Sequence, residues 1–186
     1  MRLLSTRVLE SGPCYDGTPL APHWIYRSTG ILGDALVAWS APAQVALTEM
    51  VDLEDVRAEA PIASPEMLHF LGEWFFDSLD LAIGYQLLLI VTAKEALESR
   101  GIGPLRRRGN DLYFDGRKVS VSIATRSPIS VLVHFGINVR TEGTPVPTAG
   151  LREWDVDPAD FAADVLARYR DELERWHKAR AKVLPR

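Results

Sequence analysis

The chain has 186 residues, of which 47% are hydrophobic and 25% charged, a balance that suits one domain spanning residues 1–186 with a sizeable core. Its 21 Lys and Arg against 25 Asp and Glu leave a formal net charge of -4, which argues against a general nucleic-acid-binding role. A single cysteine, Cys14, excludes an intramolecular disulfide and a cysteine-based zinc site.

The N-terminal MRLLSTRVLESG lacks the long apolar core of a secretory signal. The most apolar run, LAIGYQLLLIVTA, is too short to span a bilayer. A cytoplasmic protein with no membrane partner is therefore the expectation.

RLLSTRVLE reads as a first strand, followed by a loop punctuated by Gly12, Pro13, Asp16, Gly17 and Pro19. HWIYR and DALVAWS read as two short strands parted by Gly30 and Gly33, and residues 51–56 as a further strand despite Asp52, Glu54 and Asp55. Ser64 before Pro65 has the form of a helix cap and first helical residue. Met67, Phe70, Leu71, Trp74 and Phe75 then recur at helical spacing, which predicts a short amphipathic helix. A second helix is predicted within residues 81–99, buried because its middle is apolar all round, and stopping at Gly101.

Asp115-Gly116 predicts a hairpin between residues 112–114 and 118–124. Ser127-Pro128 turns the chain into a third strand, residues 131–139, so that the three form an antiparallel meander. A proline-containing loop follows over residues 143–150. The last helix opens with Asp157 as cap and Pro158 at its start, and carries Phe161, Val165, Tyr169, Leu173 and Trp176 as its apolar stripe. Arg168/Glu172, Asp171/Arg175 and Glu174/Lys178 are spaced for i,i+4 pairing on its outer face. This order of elements predicts an α+β fold, a mainly antiparallel sheet with helices packed on it.

The meander carries the candidate site. Lys118 alternates with Ser120, Ser122 and Ala124 while Val119, Val121 and Ile123 alternate on the other side, and His134, Gly136 and Asn138 share one face of the next strand. If the register sets these faces side by side, a cation, two hydroxyls, an imidazole and an amide converge, and Gly136 admits a ligand to the backbone. A lysine so placed can pair with a carboxylate or phosphate and stabilise the negative charge that develops in acyl or nucleotidyl transfer. The alternative is a solvated lysine just beyond a hairpin turn.

Other groupings have a chemical and a plain reading. Arg106, Arg107 and Arg108 can meet phosphates or stay solvated. His69, Glu73 and Asp77 lie at i, i+4 and i+8 of the predicted helix, a spacing that presents metal ligands or merely a polar side. MVDLEDV offers three carboxylates beside Arg57 for Mg²⁺, or a solvated strand edge. Cys14 is a nucleophile only if a base lowers its pKa, and His23 is the nearest histidine in sequence. Asp16 and Gly17 are better candidates for shaping a pocket mouth.

NDLYFDGRKVSVSIA followed by VLVHFGINV resembles the central meander of the catalytic domain of biotin- and lipoate-protein ligases, which are related to class II aminoacyl-tRNA synthetases. In biotin ligases an Asn-Asp-Leu segment, a hairpin ending in Gly-Arg-Lys and a later Gly-x-Asn-Val strand occur in this order. Asn110, Asp111, Gly116, Lys118, Gly136, Asn138 and Val139 match them, within a resemblance that covers residues 87–139. YDGTPL, HWIY, MVDLEDV and MLHF resemble the branch of this superfamily catalogued as domain of unknown function 366.

The resemblance implies a biotin/lipoate ligase-like fold. It gives Lys118 the catalytic role of binding an acyl carboxylate or the phosphate of an acyl-adenylate. Around it, Asn110 and Asp111 orient the ligand or a metal, and Ser120, Ser122, His134, Gly136 and Asn138 line the substrate. No cofactor is fixed by the sequence; ATP and Mg²⁺ are the candidates, with no dedicated metal-ligand set. The implied partners are a small carboxylate or nucleotide and, through edge strands, a second copy of the chain; nucleic acid is not expected.

Departures from the family narrow this reading. No GRGRxG-like segment precedes Ser64, and the Arg-Arg, triple-Gly stretch of lipoate ligases is absent. PTAGL, with Thr148 and Ala149, stands where octanoyl transferases carry a Pro-Cys-Gly loop, so a cysteine acyl-enzyme at that position is excluded. Two function classes follow: a ligase- or transferase-like enzyme, and a non-catalytic module that binds a nucleotide or small acid on a ligase scaffold.

Overall fold

The computed structural model describes residues 4–59 and 62–185. Strands β1 (Ser5–Val8), β2 (Ala35–Val45), β3 (Ile62–Trp74), β7 (Ser120–Arg126) and β8 (Val131–Arg140) form a five-stranded sheet in the order β1-β2-β3-β8-β7. The β1/β2 pair is parallel and the rest antiparallel. Strands β4 (Leu105–Arg108), β5 (Asp111–Phe114) and β6 (Arg117–Lys118) form a second, antiparallel three-stranded sheet. Helices α1 (Trp24–Thr29), α2 (Leu53–Arg57), α3 (Leu79–Glu98) and α4 (Pro158–Ala181) complete the fold, which is the expected α+β arrangement.

The two long helices form as their sequences dictate. Ser78 caps α3 by accepting the Leu81 N–H, and Asp157 caps α4 by accepting the N–H groups of Ala159 and Asp160. Phe161, Val165, Tyr169 and Leu173 of α4 are buried, while Trp176 is partly exposed. These residues join Leu89, Ile90 and Ala93 of α3 over Leu36, Leu68, Phe70, Phe135 and Ile137 of the sheet, making the main core. The Tyr169 hydroxyl donates to the Tyr85 carbonyl at 3.1 Å and ties the helices together. Two of the three expected surface pairs differ: Arg168 reaches back to Asp164 and Arg175 to Glu172, while Glu174 meets Lys178.

Three local expectations are overturned. The segment from Ser64 to Trp74 is a strand, because β3 lies between β2 and β8 and is buried on both faces. A strand of that kind is a near-continuous apolar run whose spacing does not separate it from a helix. Pro65 sits where the β2/β3 register shifts opposite Pro42, a place where no ladder N–H is needed. HWIYR is helical: His23 takes a positive φ, its N–H donates to both oxygens of the Glu73 carboxylate, and Gly30 ends α1. Residues 51–56 enter α2 because Asp52 accepts the N–H groups of Glu54 and Asp55.

The hairpin at Asp115-Gly116 forms as expected, with both residues at positive φ. Its second strand is short, however. The chain leaves the small sheet after Lys118 and enters the large one at Ser120, so the meander is divided between two sheets.

Candidate functional site

That division decides how the site is built. Residues directly opposite in a ladder share a face of the sheet. His134, Gly136 and Asn138 face away from α3 and α4, opposite Leu71, His69 and Met67 of β3. On β7 it is Val121 and Ile123, paired with Gly136 and His134, that join them. Ser120 and Ser122 pair with Ile137 and Phe135 on the helix side. The register thus sets the serines on the opposite face from the histidine, because Ile123 and not Ser122 is the residue paired with His134.

The buried Ser120 hydroxyl accepts the Leu112 N–H at 2.9 Å, and the Ser122 hydroxyl accepts from Gln86 of α3 at 2.6 Å. Gly136 leaves room for a protein side chain: a Cβ there would lie 2.7 Å from the Met67 Cε.

Lys118 is held at the junction of the sheets. It pairs with Tyr113 of β5 on one side and bridges Thr148 on the other; its N–H donates to the Pro147 carbonyl and its carbonyl accepts the Ala149 N–H. The Asn138 side chain also donates to the Lys118 carbonyl, at 3.1 Å, and the Asn138 N–H donates to the Val119 carbonyl. Asn110 secures the neighbouring turn by donating to the Ser122 carbonyl at 2.6 Å. The Lys118 ammonium lies 2.8 Å from the Asp111 carboxylate. The PTAGL loop is therefore the backbone clamp of this lysine.

Two cavities meet along this wall. The first, of about 190 Å³, is bordered by Tyr15, Asn110, Asp111, Lys118, Ser122 and His134, and by Asp52 and Asp55 of the α2 region. The second, of about 140 Å³, is more apolar and lies between Met67, Val121, Asn138, Val146 and Thr148; Lys118 and Asp55 border both. Five of the expected site residues thus line the first cavity and Asn138 the second, whereas Ser120 and Gly136 line neither.

Burial raises the carboxyl of Asp111 above its ordinary range, Lys118 opposes the shift, and Asp55 and Asp52 add to it. Asp55 is likewise raised by burial and then by Asp52, against Lys118.

Behind the first cavity lies a stack of rings. Tyr15 lies flat on His134, with ring centroids 3.7 Å apart and planes within 7°. His134 Nε2 lies 3.0 Å from His69 Nδ1, and His69 Nε2 lies 3.1 Å from the Ala41 carbonyl. Burial lowers the His69 pKa to about 4, and burial followed by the nearby His69 takes His134 well below its ordinary value. Both rings are therefore neutral at pH 7, and their tautomers follow. A carbonyl only accepts, so His69 Nε2 carries the proton and Nδ1 is the acceptor; His134 Nε2–H then donates to it. The remaining lone pair of His134 is on Nδ1.

The other groupings are dispersed. His69, Glu73 and Asp77 share no helix: His69 belongs to the ring stack, Glu73 accepts from His23 and from the Ser130 hydroxyl, and Asp77 pairs with Arg126 on the surface. Among the described residues, no group of three His, Cys, Asp or Glu is arranged to hold a metal ion. Cys14 is exposed, and Gly17 borders the first cavity. Arg106 and Arg108 lie on the same face of the small sheet as Tyr113 and Lys118, exposed at its edge strand.

Tyr15 and His69 were absent from the expected site. The signal for Tyr15 lay in YDGTPL, but its partner Ala43 is on β2 and His134 is on β8, contacts that no local spacing encodes.

The family model described as "Domain of unknown function (DUF366)" matches residues 4–184. A Pyrococcus horikoshi protein of unknown function superposes with a TM-score of 0.92 at 39% identity, over 98% of this chain and 99% of that one. The uncharacterised protein MJ0805 of Methanocaldococcus jannaschii is 34% identical over 179 residues, 92% of this chain and 80% of its own length. The biotin protein ligase from Aquifex aeolicus, solved in complex with biotin and ATP, superposes with a TM-score of 0.60 at 18% identity, over 94% of this chain and 70% of that one. The scaffold is thus that of the biotin and lipoate protein ligases. Among the described residues, no helix is long and apolar enough to cross a membrane.

Proposed function

The chain belongs to the DUF366 family, and from that premise we propose that it binds a small carboxylate or its adenylate in the cleft beside Lys118, as a ligase or an acyl- or nucleotidyl-transferase. One observation carries the reading: the Lys118 ammonium, tethered 2.8 Å from Asp111 and clamped through its backbone by the 147–149 loop, borders both cavities. A cation held there can pair with a carboxylate in either cavity, and it stabilises negative charge developing at the acyl carbon or phosphorus. Asn110, Asp111, Ser122 and His134 shape the first cavity, Asn138 the second, and Ser120 and Gly136 act from behind by fixing β5 and Met67.

ATP and Mg²⁺ are the cofactors of this reading, and the A. aeolicus ligase, with biotin and ATP in its complex, supports it at the level of scaffold. The same reading includes pairing of two copies through an edge strand of the large sheet, β1 or β7.

The test is thermal stabilisation of wild type and Lys118→Ala by ATP, AMP, biotin, lipoate and octanoate, with and without Mg²⁺. A ligand that binds the folded state raises the melting temperature by mass action. The expected result is a rise in wild type that is lost in the variant. An equal rise in both, or none in wild type, sinks the role of Lys118.

A second reading, a sensor that binds without turnover, is favoured by the several carboxylates around the cleft, which oppose a bare triphosphate. Acid-dependent exchange of pyrophosphate into ATP separates the two: the enzyme shows it and the sensor does not.

A further inference from the structure

Resting on the reading above, we propose that the ligand carries an ammonium group as well as an acid: the substrate class is an amino acid or a similar small zwitterion. The argument starts from charge. Glu49, Asp52, Glu54, Asp55 and Asp111 border the first cavity, against Lys118 as the one Lys or Arg among its described lining residues. Asp111 is taken up by Lys118, and Asp52 by the N–H groups that it caps. The side chains of Glu49, Glu54 and Asp55 have no hydrogen-bond or ion-pair partner among the described residues, and Asp55 is partly buried. Asp55 is raised by burial and by Asp52 and is eased only by the charge of Lys118, which Asp111 already shares, so a ligand cation beside it relieves a remaining cost.

Carboxylates alone would serve a metal ion as well as an ammonium. No three His, Cys, Asp or Glu among the described residues are grouped to hold an ion on protein ligands alone, and Mg²⁺, which needs only one or two carboxylates, is the control in the experiment below. Dispersed acceptors match a cation with several N–H donors pointing in different directions.

His134 supplies the independent observation. It is 3% exposed, borders the same cavity, and has its Nε2 committed to His69. Its Nδ1 is then a lone-pair acceptor with no protein partner among the described residues. His134 itself borders the first cavity, and Nδ1 is the ring nitrogen that its bond to His69 leaves for a ligand there.

A neutral imidazole accepts an N–H and gives a carboxylate nothing. An ammonium between Asp55 and His134, with its acid on Lys118, gives all three groups a partner. A simple fatty acid meets Lys118 alone.

The experiment compares matched pairs on the full chain by calorimetry and thermal shift: L-leucine with 4-methylpentanoate, L-phenylalanine with 3-phenylpropanoate, and L-lysine with hexanoate, each alongside Mg²⁺ alone. Wild type, Lys118→Ala and Asp55→Asn are measured, the unliganded melting curves verifying folding. At least one amino acid is expected to bind about tenfold or more tightly than its deaminated partner, as one charge-assisted hydrogen bond implies. Asp55→Asn is expected to erase that preference while leaving the affinity for the deaminated acid in place.

Equal affinities within every pair, or stabilisation by Mg²⁺ alone that disappears in Asp55→Asn, overturns the inference. If the deaminated acids bind equally well and depend on Lys118, the acid-binding reading survives and the ammonium inference fails. If an amino acid loses affinity in Asp55→Asn but not in Lys118→Ala, the ammonium inference stands and the Lys118 anchor fails. If nothing binds to wild type, both fall.

Discussion

The two faces of the five-stranded sheet are made by the same strands and are chemically opposite. Toward α3 and α4, alternate residues of β3 and β8 are Leu68, Phe70, Trp74, Val133, Phe135 and Ile137, all buried among apolar neighbours. On the other face the same strands set His69, Glu73, His134 and Asn138 among Met67, Leu71 and Leu132, against a second apolar cluster that includes Tyr15, Ile25 and Trp39. One residue of offset separates an apolar face from one that works buried polar groups, each with its own partner, into its apolar packing. Stability is expected to reside mainly on the first face and ligand chemistry on the second.

The largest effect tests the apolar face. Phe135→Ala removes a fully buried ring stacked on Phe70 and is expected to cost about 3–5 kcal/mol in denaturant unfolding. Lys118→Ala, on the polar side, breaks a partly exposed ion pair and is expected to cost about 1 kcal/mol or less while abolishing binding. Comparable losses in the two variants would break the comparison.

Next in size is acid. His69 is buried and neutral, with its pKa lowered from 6.5 to about 4. The unfolded chain therefore takes up protons at a higher pH than the folded one, and stability falls as pH drops below about 6.5, continuing until the folded form itself protonates near 4. The loss is on the order of a few kcal/mol at the acid end. Unfolding free energies across this range should be shallower in His69→Gln than in wild type; identical slopes would remove the histidine from the account.

The smallest effect contrasts one glycine on each face. A Cβ on Gly72 would lie 2.2 Å from the Trp74 ring, which is wide and enclosed, so Gly72→Ala is expected to cost about 1–3 kcal/mol. On Gly136 the obstacle is the Met67 methyl, the end of a flexible chain bordering the second cavity. Gly136→Ala is expected to cost less, and calorimetric melting of the two variants checks the order.

The elements legible in the sequence were those whose signals are local. Asp157-Pro158 and the spacing of Phe161, Val165, Tyr169 and Leu173 sufficed for α4, and Asp115-Gly116 for the hairpin, because caps and turns act within a few residues. In the site, alternation along the strand pointed to Lys118 and the resemblance to Asn110 and Asp111, and the hairpin sets the Lys118 ammonium 2.8 Å from Asp111. The helix read into β3, the strand read into HWIYR and the serines placed beside His134 failed for a common reason. Each depends on a distant partner: β2 and β8 around β3, Glu73 at the start of α1, and Leu112 and Gln86 on the serine hydroxyls.

The sequence by itself therefore determined the α+β class, the two long helices, the hairpin and the lysine at its end. Those follow from intrinsic backbone preference, capping and periodicity, which the chain carries wherever it goes. The tertiary structure alone decided which face of the sheet became the cavity. It also divided the meander between two sheets at Lys118 and gathered Tyr15, His69 and His134 from three distant segments into one stack. Register converts a single residue of offset into a change of face, and register is set by burial across the whole sheet rather than by any one strand.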